Sequence, residues 1–295
     1  MNKRNETLDQ LVKKIEQLPT LPMVSHRIME VIDNENASFK EIVGIVEKDQ
    51  ALALKILKIA NSSFYGSLGK VSSLESAMIK LGTREVKSIV LGFSVHNFFS
   101  DAKDNSFDRG RFWKHAVLVS QVAKLLESHF RIPHDDSFFL SGLVHDMGKV
   151  VLDQYFHDEF LQIIDELSST HSTFSQAEKS ILGTTHYQIA AKILKQWKFP
   201  DNVIFKVLYH HAPWYDKTCQ AGSIVIYLSN ILTKLAGYSC HPDEQKIDIE
   251  KFAHSPEMEF IVKNGFDLDY DMTRKLVTRV QEFAKDEADN VMSLF

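Results

Sequence analysis

Apolar residues recur at helical spacing along the chain. Leu8, Leu11, Val12 and Ile15 fall at i, i+3, i+4 and i+7, one face of a helix. ALALKILKIAN follows Asp49, REVKSIVLGFSVHNFF follows Thr83, and HYQIAAKILKQW follows Thr185. Each of those three residues has a side-chain oxygen that can cap the next helix. Ser38 with Glu41, Ser72 with Glu75 and Ser175 with Glu178 have capping-box spacing, and Gly82 can close the helix that contains AMIKL. In FWKHAVLVSQVAKLLESHF, residues Phe112, Ala116, Val119, Ala123 and Leu126 share a face. A helix beginning at Asp135 or Asp136 is expected to carry His145 and Asp146. Pro200 opens PDNVIFKVLYHH at a position that proline tolerates. Residues 221–237 read as a further helix, although SIVIYL alone has the look of a strand, and the last segment reads as an amphipathic helix with a charged face.

These patterns predict an all-α protein, a two-lobed helical bundle. The polar stretch SDAKDNSFDRGR, 100–111, marks the expected boundary. One lobe then spans 1–105, a second spans 106–240, and a helical extension covers 241–295. The low count of turn residues, 12 Gly and 7 Pro in 295, agrees with long helices.

The formal charge of −5 argues against general nucleic-acid binding, which needs a basic surface. No run of 18 or more apolar residues occurs, so neither a membrane span nor a membrane partner is expected. The charged N-terminus does not have the pattern of a signal peptide. Cys219 and Cys240 form no CxxC pair and read as buried or idle thiols in a reducing cytoplasm.

The stretch GLVHDMGKVVL, 142–152, places His145, Asp146 and Lys149 among apolar residues. Of 13 histidines, His26, His96, His129, His134, His157, His171, His241 and His254 read as ordinary core or surface residues. His115, His145, His186, His210 and His211 stand beside apolar residues, where an unpaired imidazole is costly. Two readings of these residues remain open. They converge on a divalent cation, for which imidazole and carboxylate are suitable ligands, or they form a buried hydrogen-bond network. Asp146 is of the type that bridges two ions. The aromatics Phe64, Tyr65, Trp113, Trp197 and Trp214 read as core before pocket lining, and Arg84 with Lys87 as a solvated helix face before a contact for an acidic partner.

The order H…HD…H…HH resembles the HD superfamily of helical metal-dependent phosphohydrolases. LPTLPMVSHRIMEVI (18–32), DQALALKILKIANSSFYG (49–66) and SSLESAMIKLGTREVKSIVLG (72–92) narrow the resemblance to the HDOD domain, an HD-related output module of bacterial signalling proteins. FWKHA, GLVHDMGKVVL, GTTHYQIAAKILKQWKFP and VLYHH complete it over roughly residues 15–212. The resemblance implies metal ligands at His115, His145, Asp146, His186, His210 and His211. The family's final aspartate is matched by Asn230, a departure that removes a negative charge. Lys149 matches a lysine that touches substrate phosphate in the HD-GYP relatives, but the GYP motif is absent. The resemblance further implies a regulatory module with one or two divalent ions, Fe or Mn favoured and Ni or Zn possible. Its expected partners are signalling proteins, a second copy of itself, or a nucleotide or cyclic dinucleotide. The alternative is a metal-dependent phosphohydrolase with Asp146 and Lys149 as catalytic residues.

Overall fold

A computed structural model describes residues 39–61, 71–99, 106–170 and 172–286. The predicted helix at Leu8–Ile15, the motif at 18–32, the Ser38 cap, His26, Phe64, Tyr65, His171 and residues 287–295 lie outside them. Among the described residues every regular element is helical, as the spacing predicts.

Asp49 accepts a hydrogen bond from the Leu52 amide at 3.0 Å and starts α2 (Gln50–Ala60), which follows α1 (Phe39–Val46). Then come α3 (Leu74–Leu81) and α4 (Thr83–Phe98). The cap of α3 is Ser73, bonded to the Ser76 amide at 3.1 Å, one residue beyond the expected Ser72. Thr83 is the first residue of α4, not its cap. That place is taken by Gly82, whose φ of 83° lets one residue end α3 and begin α4.

The second half opens with α5 (Arg109–His129), capped by Asp108. All five residues assigned to its apolar face are buried. The next helices, α6 (Phe138–Val144) and α7 (Met147–Tyr155), are separated by His145 and Asp146, so the HD pair occupies a break between two helices instead of riding on one. Neither Asp135 nor Asp136 caps α6. Asp135 Oδ1 accepts from the Ser137 amide at 2.9 Å and its carboxylate pairs with Lys206, holding the turn from outside. Further along are α8 (His157–Thr170), α9 (Phe174–Ile181), α10 (His186–Gln196), α11 (Asp201–Tyr209), a 3₁₀ turn at Pro213–Tyr215 and α12 (Gln220–Leu235). SIVIYL lies inside α12. The chain continues through α13 (Ile249–Ala253), α14 (Pro256–Lys263) and α15 (Tyr270–Asp286).

The largest buried apolar cluster runs from Ile42 on α1 through Phe112, Leu143 and Val150 to Val207 and Cys240. A second cluster joins the far end of α5 to α12 and the helices beyond it. The α5–α6 contact is tight: a Cβ on Gly142 would stand 2.7 Å from the Ser120 amide nitrogen. This approach brings the end of α6, and with it His145, beside His115 on α5.

Candidate metal centre

Five chain segments deliver polar groups to one buried point. His115 comes from the first turns of α5, His145 and Asp146 from the α6–α7 break, His186 from the start of α10, His210 and His211 from the end of α11, and Asn230 from α12. His115, His145, Asp146, Lys149, His186, His210 and Asn230 are all exposed by 2% or less. His211 is half-buried at the mouth.

The outer nitrogens of these rings are committed. His115 Nδ1 bonds the Tyr238 carbonyl, His145 Nδ1 the Gly142 carbonyl and His210 Nδ1 the Val207 carbonyl, each at 2.7 Å. A backbone carbonyl only accepts, so each Nδ1 carries the proton and each Nε2 presents a lone pair inward. Those three Nε2 atoms have no hydrogen-bond partner among the described residues, and neither has Asp146 Oδ1. They gather around the Asp146 carboxylate. Oδ1 lies 3.0 Å from His186 Nε2 and 3.4 Å from His210 Nε2; Oδ2 lies 3.4 Å from His145 Nε2 and 3.8 Å from His115 Nε2. His211 Nε2 is 3.2 Å from His186 Nε2. Lone pairs aimed at a carboxylate repel it, and a cation among them removes the repulsion. Two groups have donor atoms close enough to share an ion: Asp146 with His186, His210 and His211, and Asp146 with His115 and His145.

Burial lowers the His115 and His210 pKa to about 3, so both imidazoles are neutral and able to act as ligands at neutral pH. For Asp146, burial pushes upward but the Lys149 ammonium on its carboxylate prevails, leaving its carboxyl well below the usual range. Lys149 is held above its usual value: burial opposes the ammonium, and Asp146 outweighs burial.

Three contacts were not legible in the sequence pattern. Glu178 accepts from the His186 amide at 2.9 Å and from His186 Nδ1 at 2.7 Å, a carboxylate behind a ligand-type imidazole. The capping box predicted for Glu178 is formed instead by Thr173 and Gln176, two residues earlier. Cys240 is a buried thiol, as one of the two readings has it, and its Sγ is 3.2 Å from Lys149 Nζ. Lys149 donates to Asp146 Oδ2 at 2.7 Å and lies 4.3 Å from the centre of the Phe174 ring. Asn230 is buried beside the centre, and its Oδ1 has no partner among the described residues.

A cavity of about 640 Å³ reaches the centre at His211 and Asn230, between Phe174, Tyr187, Trp214 and Lys234. Trp214, expected in the core, therefore lines a pocket. A larger cavity of about 790 Å³, lined by Arg84, Lys87, Asp135 and Lys206, touches none of the histidines of the centre.

The fold and this cluster define an all-α protein organised around a buried HD pair. The chain belongs to the HDOD family, whose domain model matches residues 18–213. A Geobacter sulfurreducens HDOD domain protein of unknown function superposes with a TM-score of 0.80 at 22% identity, over 99% of this chain and 98% of that one. A Marinobacter aquaeolei protein described as a signal transduction protein gives 0.71 at 25% identity, over 99% of this chain and 64% of its own. A Shewanella amazonensis protein described as a metal-dependent phosphohydrolase gives 0.70 at 20% identity, over 100% and 99%. Uncharacterized proteins of Treponema pallidum and Bacillus subtilis are 20% and 22% identical over 68% and 48% of this chain. The matches span only 39% and 33% of those curated relatives.

Proposed function

We propose that this chain is a signal-transduction output module that holds a divalent metal ion and works by contact with a protein or small ligand, without turnover. The observation that carries the non-catalytic reading is the position of Lys149. Its ammonium is the group at the centre best suited to stabilising charge on a phosphoryl group, yet it is buried, turned inward and bonded to Asp146. Asn230, in place of a carboxylate, points the same way. The metal part rests on the inward lone pairs of His115, His145 and His210 and on Glu178 behind His186. The Marinobacter relative, described as a signal transduction protein, supports the signalling role. The partner is a signalling protein or a second copy of the chain.

A second reading is a metal-dependent phosphohydrolase acting on a nucleotide or cyclic dinucleotide. It is favoured by the cavity that opens on His211, with aromatic rings at Tyr187 and Trp214 and ammonium groups at Lys179 and Lys234. In that reading Asp146 and the histidines around it would hold an ion that would supply Lewis-acid activation of water, the lysines hold phosphate and the rings stack against a base.

Elemental analysis of untagged protein purified without added metal tests the centre. Near-stoichiometric Fe or Mn is expected, with Ni or Zn as replacements acquired in purification, and His186→Ala is expected to hold less. A metal-free wild type would overturn the reading. The same preparations, screened against phosphodiesters, are expected to show no turnover; hydrolysis by wild type that His186→Ala lacks would establish the second reading. Glu178→Gln removes the carboxylate that orients His186, and Mn²⁺ affinity measured by calorimetry is expected to fall roughly 10- to 100-fold.

A further inference from the structure

Resting on the metal reading above, we propose that this centre takes one ion and not two. The ion is held by Asp146 Oδ1, His186, His210 and His211, while the Lys149 ammonium stands at Oδ2 as a built-in second cation.

Asp146 faces two half-sites of unequal character. On the Oδ1 side, the separations to His186 Nε2 and His210 Nε2 are 3.0 and 3.4 Å, and His186 Nε2 to His211 Nε2 is 3.2 Å. Ligands about 2.0–2.1 Å from a tetrahedral ion stand about 3.3 Å apart, so these three edges already have the size of a first coordination sphere. Glu178, 2.7 Å from His186 Nδ1, adds a second negative charge on this side.

On the Oδ2 side, His145 stands at 3.4 Å, level with His210 across the centre, and His115 is farther off at 3.8 Å. The nearest group is Lys149 Nζ at 2.7 Å, itself anchored by Cys240 Sγ at 3.2 Å and by the Phe174 ring. Nearby Glu244 is paired with Lys234. Asn230, buried and with its Oδ1 unpartnered among the described residues, supplies a neutral amide where the resemblance implies a cation-attracting carboxylate. A dication placed here would meet an ammonium in a dry, low-dielectric space, where repulsion between like charges is strongest. On the Oδ1 side the carboxylates of Asp146 and Glu178 both bond His186 or face it directly; on the Oδ2 side the group bonded to Asp146 is the Lys149 ammonium, and the nearby Glu244 is paired with Lys234.

The test uses the full chain, stripped with chelator, reloaded with Mn²⁺, desalted and analysed for metal per chain. One ion per chain is expected. His210→Ala is expected to lose it and His115→Ala to keep it, with circular dichroism confirming that both fold. Lys149→Met combined with Asn230→Asp is expected to raise the count to two. Two ions in wild type would overturn the proposal and leave the metal reading standing. So would a single ion that His115→Ala loses and His210→Ala keeps. A count that stays at one in the folded double variant would overturn the role given to Lys149; if that variant does not fold, the histidine pair decides the site. No ion in wild type would overturn the metal reading itself.

Discussion

In chelator-treated protein, Asp146→Ala is expected to lower the unfolding free energy by about 3–5 kcal/mol, because it leaves the buried Lys149 ammonium without its counter-ion. For a chain of this size that is a fall of roughly 10 °C in melting temperature. Lys149 has no exposed surface, its remaining direct contacts are a thiol and an aromatic face, and Glu244, a further carboxylate whose charge reaches it, is already paired with Lys234. The two shifts set the sign of the pH dependence. Asp146 has a folded pKa below 3.8, so its contribution is present above that value and is lost as the pH falls through the folded pKa. Lys149 has a folded pKa above 10.5, so its contribution is present below that value and is lost as the pH rises through the folded pKa. Adding Lys149→Met to Asp146→Ala is expected to recover much of the loss, since it removes the stranded charge and conserves volume. An unchanged melting temperature for Asp146→Ala without metal would show that this pair contributes nothing to the fold.

Gly148→Ala is expected to damage both folding and metal binding. A Cβ at Gly148 would lie 2.6 Å from the carbonyl carbon of His186 and 2.8 Å from its Cα. The obstruction is backbone, so no rotamer change relieves it, and α7 must separate from α10. Such overpacking costs about 1–3 kcal/mol or more, against a gain in helix propensity of up to about 1 kcal/mol. His186 is the first residue of α10 and moves with it, away from Asp146. The rise in melting temperature on adding Mn²⁺ is therefore expected to shrink as well. Gly44 on α1 is the control: none of the described residues lies within 4 Å of a Cβ there, so Gly44→Ala is expected to leave the fold intact or slightly stabilise it. If Gly148→Ala behaved like Gly44→Ala, the close α7–α10 approach would not be what positions His186.

Much of this protein is legible from local pattern. The Asp49 and Thr185 helix starts, the buried face of α5 and the helical reading of 221–237 depend on residues three or four positions apart, and the structure contains them all. Where local signals compete, pattern misplaces them. Ser72 and Ser73 are adjacent and chemically equivalent, and geometry selects the second. Thr173 with Gln176 overlaps Ser175 with Glu178, and the first pair forms the box because Glu178 is drawn to His186.

Residue order alone was enough to set the helices and the kinds of groups available: five imidazoles in apolar surroundings, a carboxylate beside one of them, and an asparagine where the resemblance implies an aspartate. Helix formation depends on hydrogen bonds and side-chain spacing within a turn or two, which is why it can be read from neighbours in the chain. The direction in which those groups face came from the packing of distant segments. Packing turned Lys149 onto Asp146 instead of into the cavity, placed Cys240 against that ammonium from 91 residues away, and put Glu178 behind His186. It also brought the His115 ring to the Tyr238 carbonyl, 123 residues on, so that its inner lone pair converges with those of His145 and His210. Such contacts join residues far apart in the chain, and their direction is set by how whole helices approach one another at points such as Gly142 and Gly148.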